Sequence, residues 1–232
     1  MGDIELRLHS RSEETSNLFK KGNGHSWISI TTPDGYTTSY GLWADNHSNV
    51  NLSRQQQGWD GSGTAIKQNI EYGFDKLKSS VSTSWKISDK QYRTFQDCLN
   101  NSETYHAAKN NCATWAAKVT QDVTGERVHN NSIVTPWRVK LEINRINAEK
   151  EIKSNYEKID AIKSKDFLTK IDQKMLENYA GENETLNLEL ARTRTDITKA
   201  DVYEKLFSLA PNKVLDKVIQ KYTQQRSNEP EM

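Results

Sequence analysis

Asn110-Asn111-Cys112-Ala113-Thr114-Trp115-Ala116-Ala117-Lys118-Val119-Thr120 is the stretch on which the fold turns. A polar pair runs straight into a helical pattern. Asn is a favoured N-cap because its side-chain oxygen accepts from the first free amides of a helix. Ala113, Ala116, Ala117 and Thr120 recur at helical spacing, so the helix presents a small-residue face that packs closely on another layer. Cys112 then stands at about the first helical residue, where unpaired N–H groups and the helix dipole favour an anion. A thiol so placed can fall from a pKa of about 8.5 into roughly the 3.5–7.5 range. A free cysteine is more often a small packing residue. Cys98 fits that description, since Phe95 and Leu99 beside it mark an apolar helix face. Cys112 departs from it by its position at a helix start and by a histidine strand upstream.

That strand opens the clearest hairpin in the chain. His25-Ser26-Trp27-Ile28-Ser29-Ile30-Thr31 and Tyr36-Thr37-Thr38-Ser39-Tyr40-Gly41-Leu42-Trp43 are rich in β-branched and aromatic residues, and they flank the turn Thr32-Pro33-Asp34-Gly35. With the loop closing between Thr32 and Tyr36, Ser29 faces Ser39 and His25 faces Trp43. Alternation then puts residues 25, 27, 29, 39, 41 and 43 on one face. A thiol nucleophile needs an imidazole to hold its proton and later protonate a leaving amine. His25 supplies one, and the imidazole in turn needs a polar neighbour to fix its tautomer. Ser39 shares its face, a one-residue change of turn substitutes Tyr40, and Asp45 at the hairpin's exit is the only nearby carboxylate. The residues leave these three open.

Around this pair the chain divides by composition. All six tryptophans lie at or before Trp137, and every glycine except Gly181 also lies before it. The first part has the turns and aromatics of a sheet-containing domain; the second is rich in Lys, Glu, Asn and Leu, which favours helices. A boundary near 148 gives a domain over 1–148 and a helical region over 149–232. Residues 3–8 read as a strand, 10–24 and 44–63 as polar loops, and 64–87 as one or two further strands. Ser88 and Gln91 match a capping box, predicting a helix over 89–100. The Cys112 helix runs to about Thr124 and is closed by Gly125. Thr135-Pro136-Trp137 leads into another helix. Further on, Phe167, Ile171 and Met175 or Leu176 form a stripe ended by Gly181. Val202, Leu206 and Leu209 form a second, stopped before Pro211, and Val214, Leu215, Val218 and Ile219 a third. These stripes suit a small bundle or a partner-binding face, and the chain from Gln224 onward reads as frayed.

The totals exclude several classes. Lys+Arg is 32 and Asp+Glu 31, which argues against a nucleic-acid or anionic-membrane binder. Mean hydropathy is −0.87, and no apolar run approaches the 18 or so residues needed to cross a bilayer. The N-terminal stretch alternates like a strand and lacks an apolar signal core, so export is expected by another route. Two cysteines make no disulfide framework, and the five histidines, His9, His25, His47, His106 and His129, lack metal spacing; no metal or cofactor is expected.

Gly24-His25-Ser26-Trp27-Ile28 on a hairpin, followed much later by Asn111-Cys112-Ala113-Thr114-Trp115-Ala116, resembles the circularly permuted branch of NlpC-type papain-like cysteine peptidases. In that branch the histidine strand precedes the cysteine helix. Relatives include lecithin-retinol-acyltransferase-like enzymes and PPPDE-type isopeptidases. The resemblance covers roughly residues 3–145. It implies an α+β fold, a papain-like (permuted NlpC-type) antiparallel sheet with packed helices, followed here by an all-α C-terminal region. It implies Cys112 as nucleophile, His25 as base and, by overlay of the Asp34-Gly35-Tyr36 turn, Ser39 as the third residue. The family usually carries a stronger acceptor than serine there. It further implies a bacterial cell-wall stem peptide as substrate. By analogy with wall-cutting effectors, delivery is expected through a dedicated machine such as type VI secretion, with action in the target-cell periplasm, the cytoplasm being the alternative. The helical region would then meet a delivery component, an immunity protein or substrate. A protein-directed isopeptidase or deamidase, a lipid acyltransferase or thioesterase, and a non-catalytic binding module of the same fold are the rival expectations.

Overall fold

A computed structural model describes residues 3–12, 24–44, 64–71, 73–74, 77, 79–101, 110–128 and 134–209. Five strands, β1 (Ile4–Ser12), β2 (Gly24–Thr31), β3 (Thr37–Ala44), β4 (Thr64–Gln68) and β5 (Ser80–Ile87), form one antiparallel sheet in the order β4-β3-β2-β1-β5. The β2–β3 register is the one the Pro-Asp-Gly turn dictates: Ser29 lies opposite Ser39, and Gly35 at φ 85° closes the turn with its N–H donating to the Thr32 carbonyl at 2.8 Å. Such a φ suits glycine, which has no Cβ to clash.

Alternation gives the sheet two faces. On one, Leu6, Leu8, Ile28, Ile30 and Leu42 are buried beneath the helical layer. Burying each such side chain is worth roughly 1.5–3 kcal/mol, so this face anchors the layer. Helix α1 (Asp89–Asn100) starts at the expected capping box, Ser88 with Gln91, and contributes Phe95 to the core. Gln91 also donates through Nε2 to the Val123 carbonyl at 2.9 Å, tying α1 to the end of helix α2 (Cys112–Thr124). The small face of α2 lies flat on the sheet, with Ala113, Ala116, Ala117 and Thr120 fully buried. Gly125 ends it in the left-handed conformation at φ 75°.

Helix α3 (Pro136–Lys163) begins with Thr135 as N-cap and a proline in its first turn. Val139 and Ile143 join the sheet core. Farther along, Asn147 donates to the Ser82 carbonyl at 2.9 Å, and Lys150 donates to the Ser84 carbonyl at 2.6 Å while its ammonium sits 4.4 Å from the centre of the Trp85 ring. The outer edge of β5 is thus covered by side chains of α3. Helix α4 (Lys170–Leu209) returns antiparallel to α3, joined to it by the buried contact of Asn155 with Asn183 at 3.1 Å and by Arg194 with Glu149 at 3.3 Å.

Three features of the helical region bear on the expectations. Gly181 does not end a helix: α4 runs unbroken through it. A mid-helix glycine costs about 1 kcal/mol against alanine, which contacts across the α3–α4 pair outweigh. The boundary expected at 148 falls inside α3, whose first half covers the sheet and which meets α4 along both halves. The stripe of Phe167, Ile171 and Met175 is exposed, at 88, 73 and 38 %, rather than packed in a bundle. The third stripe and the frayed tail lie outside the described residues, as do the side chains of Leu206 and Leu209. No described helix is long and apolar enough to cross a membrane.

Candidate active site

The second face of the sheet is polar and aromatic. His9, His25 and Trp27 are buried there, and their rings form a row that ends on Trp43. His9 to Trp27 is 4.9 Å between centroids, Trp27 to His25 is 5.7 Å and His25 to Trp43 is 4.1 Å. Phe74 meets both His25 and Trp27 edge-on. The imidazole of His25 is therefore wedged between indoles and holds one orientation.

Gly24 and Gly41 make room for it. A Cβ at Gly24 would lie 2.0 Å from the Arg11 carbonyl oxygen, and one at Gly41 would lie 1.9 Å from Glu71 Oε1 and 2.9 Å from His25 Nε2. The first contact is with backbone, so Gly24 is required; the second would drive Glu71 off His25 or shift the strand.

Cys112 stands at the first residue of α2. Asn111 caps that helix, its Oδ1 accepting from the N–H groups of Ala113 and Thr114 at 2.9 Å each. The chain therefore brings Cys112 and His25 together, side chain to side chain, with the N–H groups of Ser26 and Ala113 also donating to the sulfur. Burial pushes the thiol up, but the positive imidazolium beside it and these donors hold it below the ordinary thiol range. Burial pulls His25 down; the Cys112 thiolate and the Glu71 carboxylate outweigh it, and the imidazolium is pushed up to about 9. Thiolate and imidazolium stabilise each other.

Glu71 is the residue that sequence reasoning did not find. Its Oε1 accepts from His25 Nε2 at 3.2 Å and from Trp43 Nε1 at 2.7 Å, and its Oε2 accepts from Ser39 Oγ at 2.8 Å. Burial would raise its pKa; the bonds from His25, Trp43 and Ser39 hold it below the usual carboxylate range. Since Glu71 takes Nε2, Nδ1 is the nitrogen left to serve the thiol. All three are buried: Glu71 is 1 % exposed, His25 5 % and Cys112 8 %. Asn69 sets Glu71 over the sheet. At φ 58° it reverses the chain just past β4, clamped to Ser39 by its N–H to the Ser39 carbonyl at 3.0 Å and its Oδ1 accepting from the Ser39 N–H at 3.1 Å.

The other candidates fall differently. Ser39 shares the face of His25, as the register requires, but its hydroxyl goes to Glu71 and reaches the imidazole only through that carboxylate. Tyr40 points to the opposite face and packs edge-on against Phe95 at 5.2 Å. Asp45 lies outside the described residues. Cys98 is half-buried, its thiol pushed up by burial. Among the described residues, no group of three or more His, Cys, Asp or Glu side chains is gathered as a metal site would require.

The fold and site define an α+β protein with a five-stranded antiparallel sheet and a buried thiol–imidazole–carboxylate row. Among known proteins, no family model, no curated protein and no solved structure matches this chain.

Proposed function

We propose that the protein is a cysteine hydrolase that cleaves amide bonds, of permuted NlpC-type, papain-like arrangement. The observation that supports this is the row Cys112–His25–Glu71, in which a thiol, an imidazole and a carboxylate from three segments distant in sequence meet. The Cys112 thiolate attacks the amide carbonyl carbon and forms a tetrahedral intermediate. Its oxyanion is met by the Cys112 N–H at the helix start, the kind of preorganised donor that lowers such barriers. His25 gives its proton to the leaving amine, the C–N bond breaks, and a thioester remains. Water then yields a proton to His25, attacks the thioester carbonyl and releases the carboxylic acid, freeing the sulfur. Glu71 holds the tautomer and charge of His25 throughout. An imidazole so used contributes about 10²–10⁴-fold.

The resemblance of the Gly24-His25-Ser26-Trp27 and Asn111-Cys112-Ala113-Thr114-Trp115 segments to the permuted branch favours bacterial cell-wall stem peptides as substrate. Digestion of peptidoglycan sacculi with mass analysis of the products tests it. Wild-type protein releases muropeptides cut within the stem peptide, and Cys112→Ala or His25→Ala releases none. On this reading the protein is an antibacterial toxin, harmful when directed to the periplasm and harmless in the cytoplasm. Indistinguishable behaviour of wild type and Cys112→Ala in hydrolysis and toxicity would replace the enzyme with a binding module.

A further inference from the structure

We propose that Glu204, on α4, is a positioning residue for Cys112, acting through the first turn of α3 and a pair of buried serines; this rests on the nucleophile reading above. Glu204 is 2 % exposed, and its Oε1 accepts from the Thr135 N–H at 2.9 Å and from Thr135 Oγ1 at 3.1 Å. Thr135 is the N-cap of α3. Beside it the buried Arg138 bridges Glu142 at 2.9 Å and Asp201 at 3.3 Å, and Ala200 packs with Trp137 and Leu141. The end of α4 thus grips the start of α3 by charge and by apolar contact together.

From that turn the contact continues to the sulfur. The Pro136 carbonyl accepts from Ser10 Oγ at 2.7 Å. A carbonyl has no hydrogen to give, so the single hydroxyl hydrogen of Ser10 is committed there. The 2.9 Å contact between Ser10 and Ser26 must then be made by the Ser26 hydroxyl donating to Ser10. Both serines are completely buried, so water does not compete for these bonds. Ser26 is held in one orientation, and its backbone N–H is a donor to the Cys112 sulfur. Pro136 also supports the strand directly: a Cβ at Gly24 would come within 3.0 Å of the Pro136 Cβ, one residue before His25. Loss of the Glu204 oxygen releases the Thr135 cap, lets the Pro136 carbonyl shift, and frees Ser26 to move its amide off the sulfur.

The test reads the nucleophile rather than turnover. In the full chain, the rate of Cys112 alkylation by iodoacetamide is followed against pH by peptide mass, with Cys98 as internal reference. Glu204→Ala is expected to move the Cys112 midpoint upward by about half to one unit, the size of a weakened hydrogen bond to a charged group. Ser10→Ala, which cuts the route at its centre and leaves α4 docked, is expected to do the same. Glu204→Gln keeps an acceptor oxygen and is expected to retain the wild-type midpoint, and the Glu204→Ala/Ser10→Ala double variant to shift no further than either single one. Cys98 should not move in any of them. An unmoved midpoint in Ser10→Ala, or in Glu204→Ala with native near-ultraviolet dichroism, overturns the proposal, as does additivity in the double variant. If wild-type Cys112 itself titrates near 8.5 as an ordinary thiol, the nucleophile reading fails and takes this one with it. A low wild-type midpoint indifferent to the variants removes only the role of Glu204.

Discussion

Glu71→Gln exchanges a charged oxygen for an amide of equal size at the inner end of the site. The three donors that converge there can all be kept. The amide oxygen in the place of Oε1 still accepts from His25 and Trp43, and the amide nitrogen in the place of Oε2 donates to Ser39, whose hydroxyl turns to accept. Packing is retained and the charge is lost. A hydrogen bond to a charged partner is worth about 1.5–3 kcal/mol and one between neutral groups about 0.5–1.5, so the imidazolium loses about 1–2 kcal/mol. At about 1.4 kcal/mol per decade, that lowers His25 from about 9 by roughly one unit and slows amide hydrolysis about 5- to 30-fold. Glu71→Ala is a poorer probe, because it strands one buried donor at about 1–3 kcal/mol and two half-buried ones at less, and threatens the fold. The assays are the His25 ring-proton NMR titration and the pH dependence of Cys112 alkylation. A His25 titration unchanged in a folded Glu71→Gln protein would refute the reasoning that this carboxylate governs the imidazole.

Gly41→Ala sets a methyl 1.9 Å from Glu71 Oε1, so Glu71 must leave His25 or the strand must move; overpacking of this kind costs roughly 1–3 kcal/mol, and Cys112 alkylation at neutral pH should fall about tenfold. With His25 pushed up to about 9, hydrolysis should hold through neutrality and fall as pH rises through about 9, where the proton for the leaving amine is lost. Stability follows the same sign: a raised histidine pKa contributes fully below its unfolded value of 6.5 and is lost as pH climbs through about 9, so urea midpoints should be lower at pH 9.5 than at pH 6. Gly181→Ala meets nothing within 4 Å and should stabilise by roughly 0.5–1 kcal/mol in urea unfolding; a loss of stability would contradict a continuous α4.

Local chemistry explains which parts of this arrangement were legible in advance. The β2–β3 register follows from one turn, and the start of α2 from one asparagine, so the placing of His25 and of Cys112 on their elements could be read from a few neighbouring residues. Glu71 could not. It reaches His25 only because β4 pairs with β3, Tyr40 opposite Gln68, and because Asn69 then reverses the chain. Nothing in Ile70-Glu71-Tyr72 announces either event, and the mixed pattern of 64–87 hides the pairing. The hairpin and its exit offer Ser39, Tyr40 and Asp45, but nearness along the chain is not nearness in space. Gly181 misled in the opposite way: its local preference is real but small, and inter-helix contacts decide the outcome. The change in composition near Trp137 is real too, yet α3 carries both characters on one rod, core-facing at Val139 and Ile143 and meeting α4 at Asn155.

Asn147 and Lys150, lying along β5, have a consequence for company rather than for chemistry. An uncovered strand margin is a template on which any extended polypeptide can continue the ladder. Here the Ser82 and Ser84 carbonyls are already engaged by an amide and an ammonium from the protein's own helix. A visiting peptide, or a second molecule seeking to fuse sheets, must first evict both. The margin is closed by two side chains, and their removal should leave a strand on which other chains can stack.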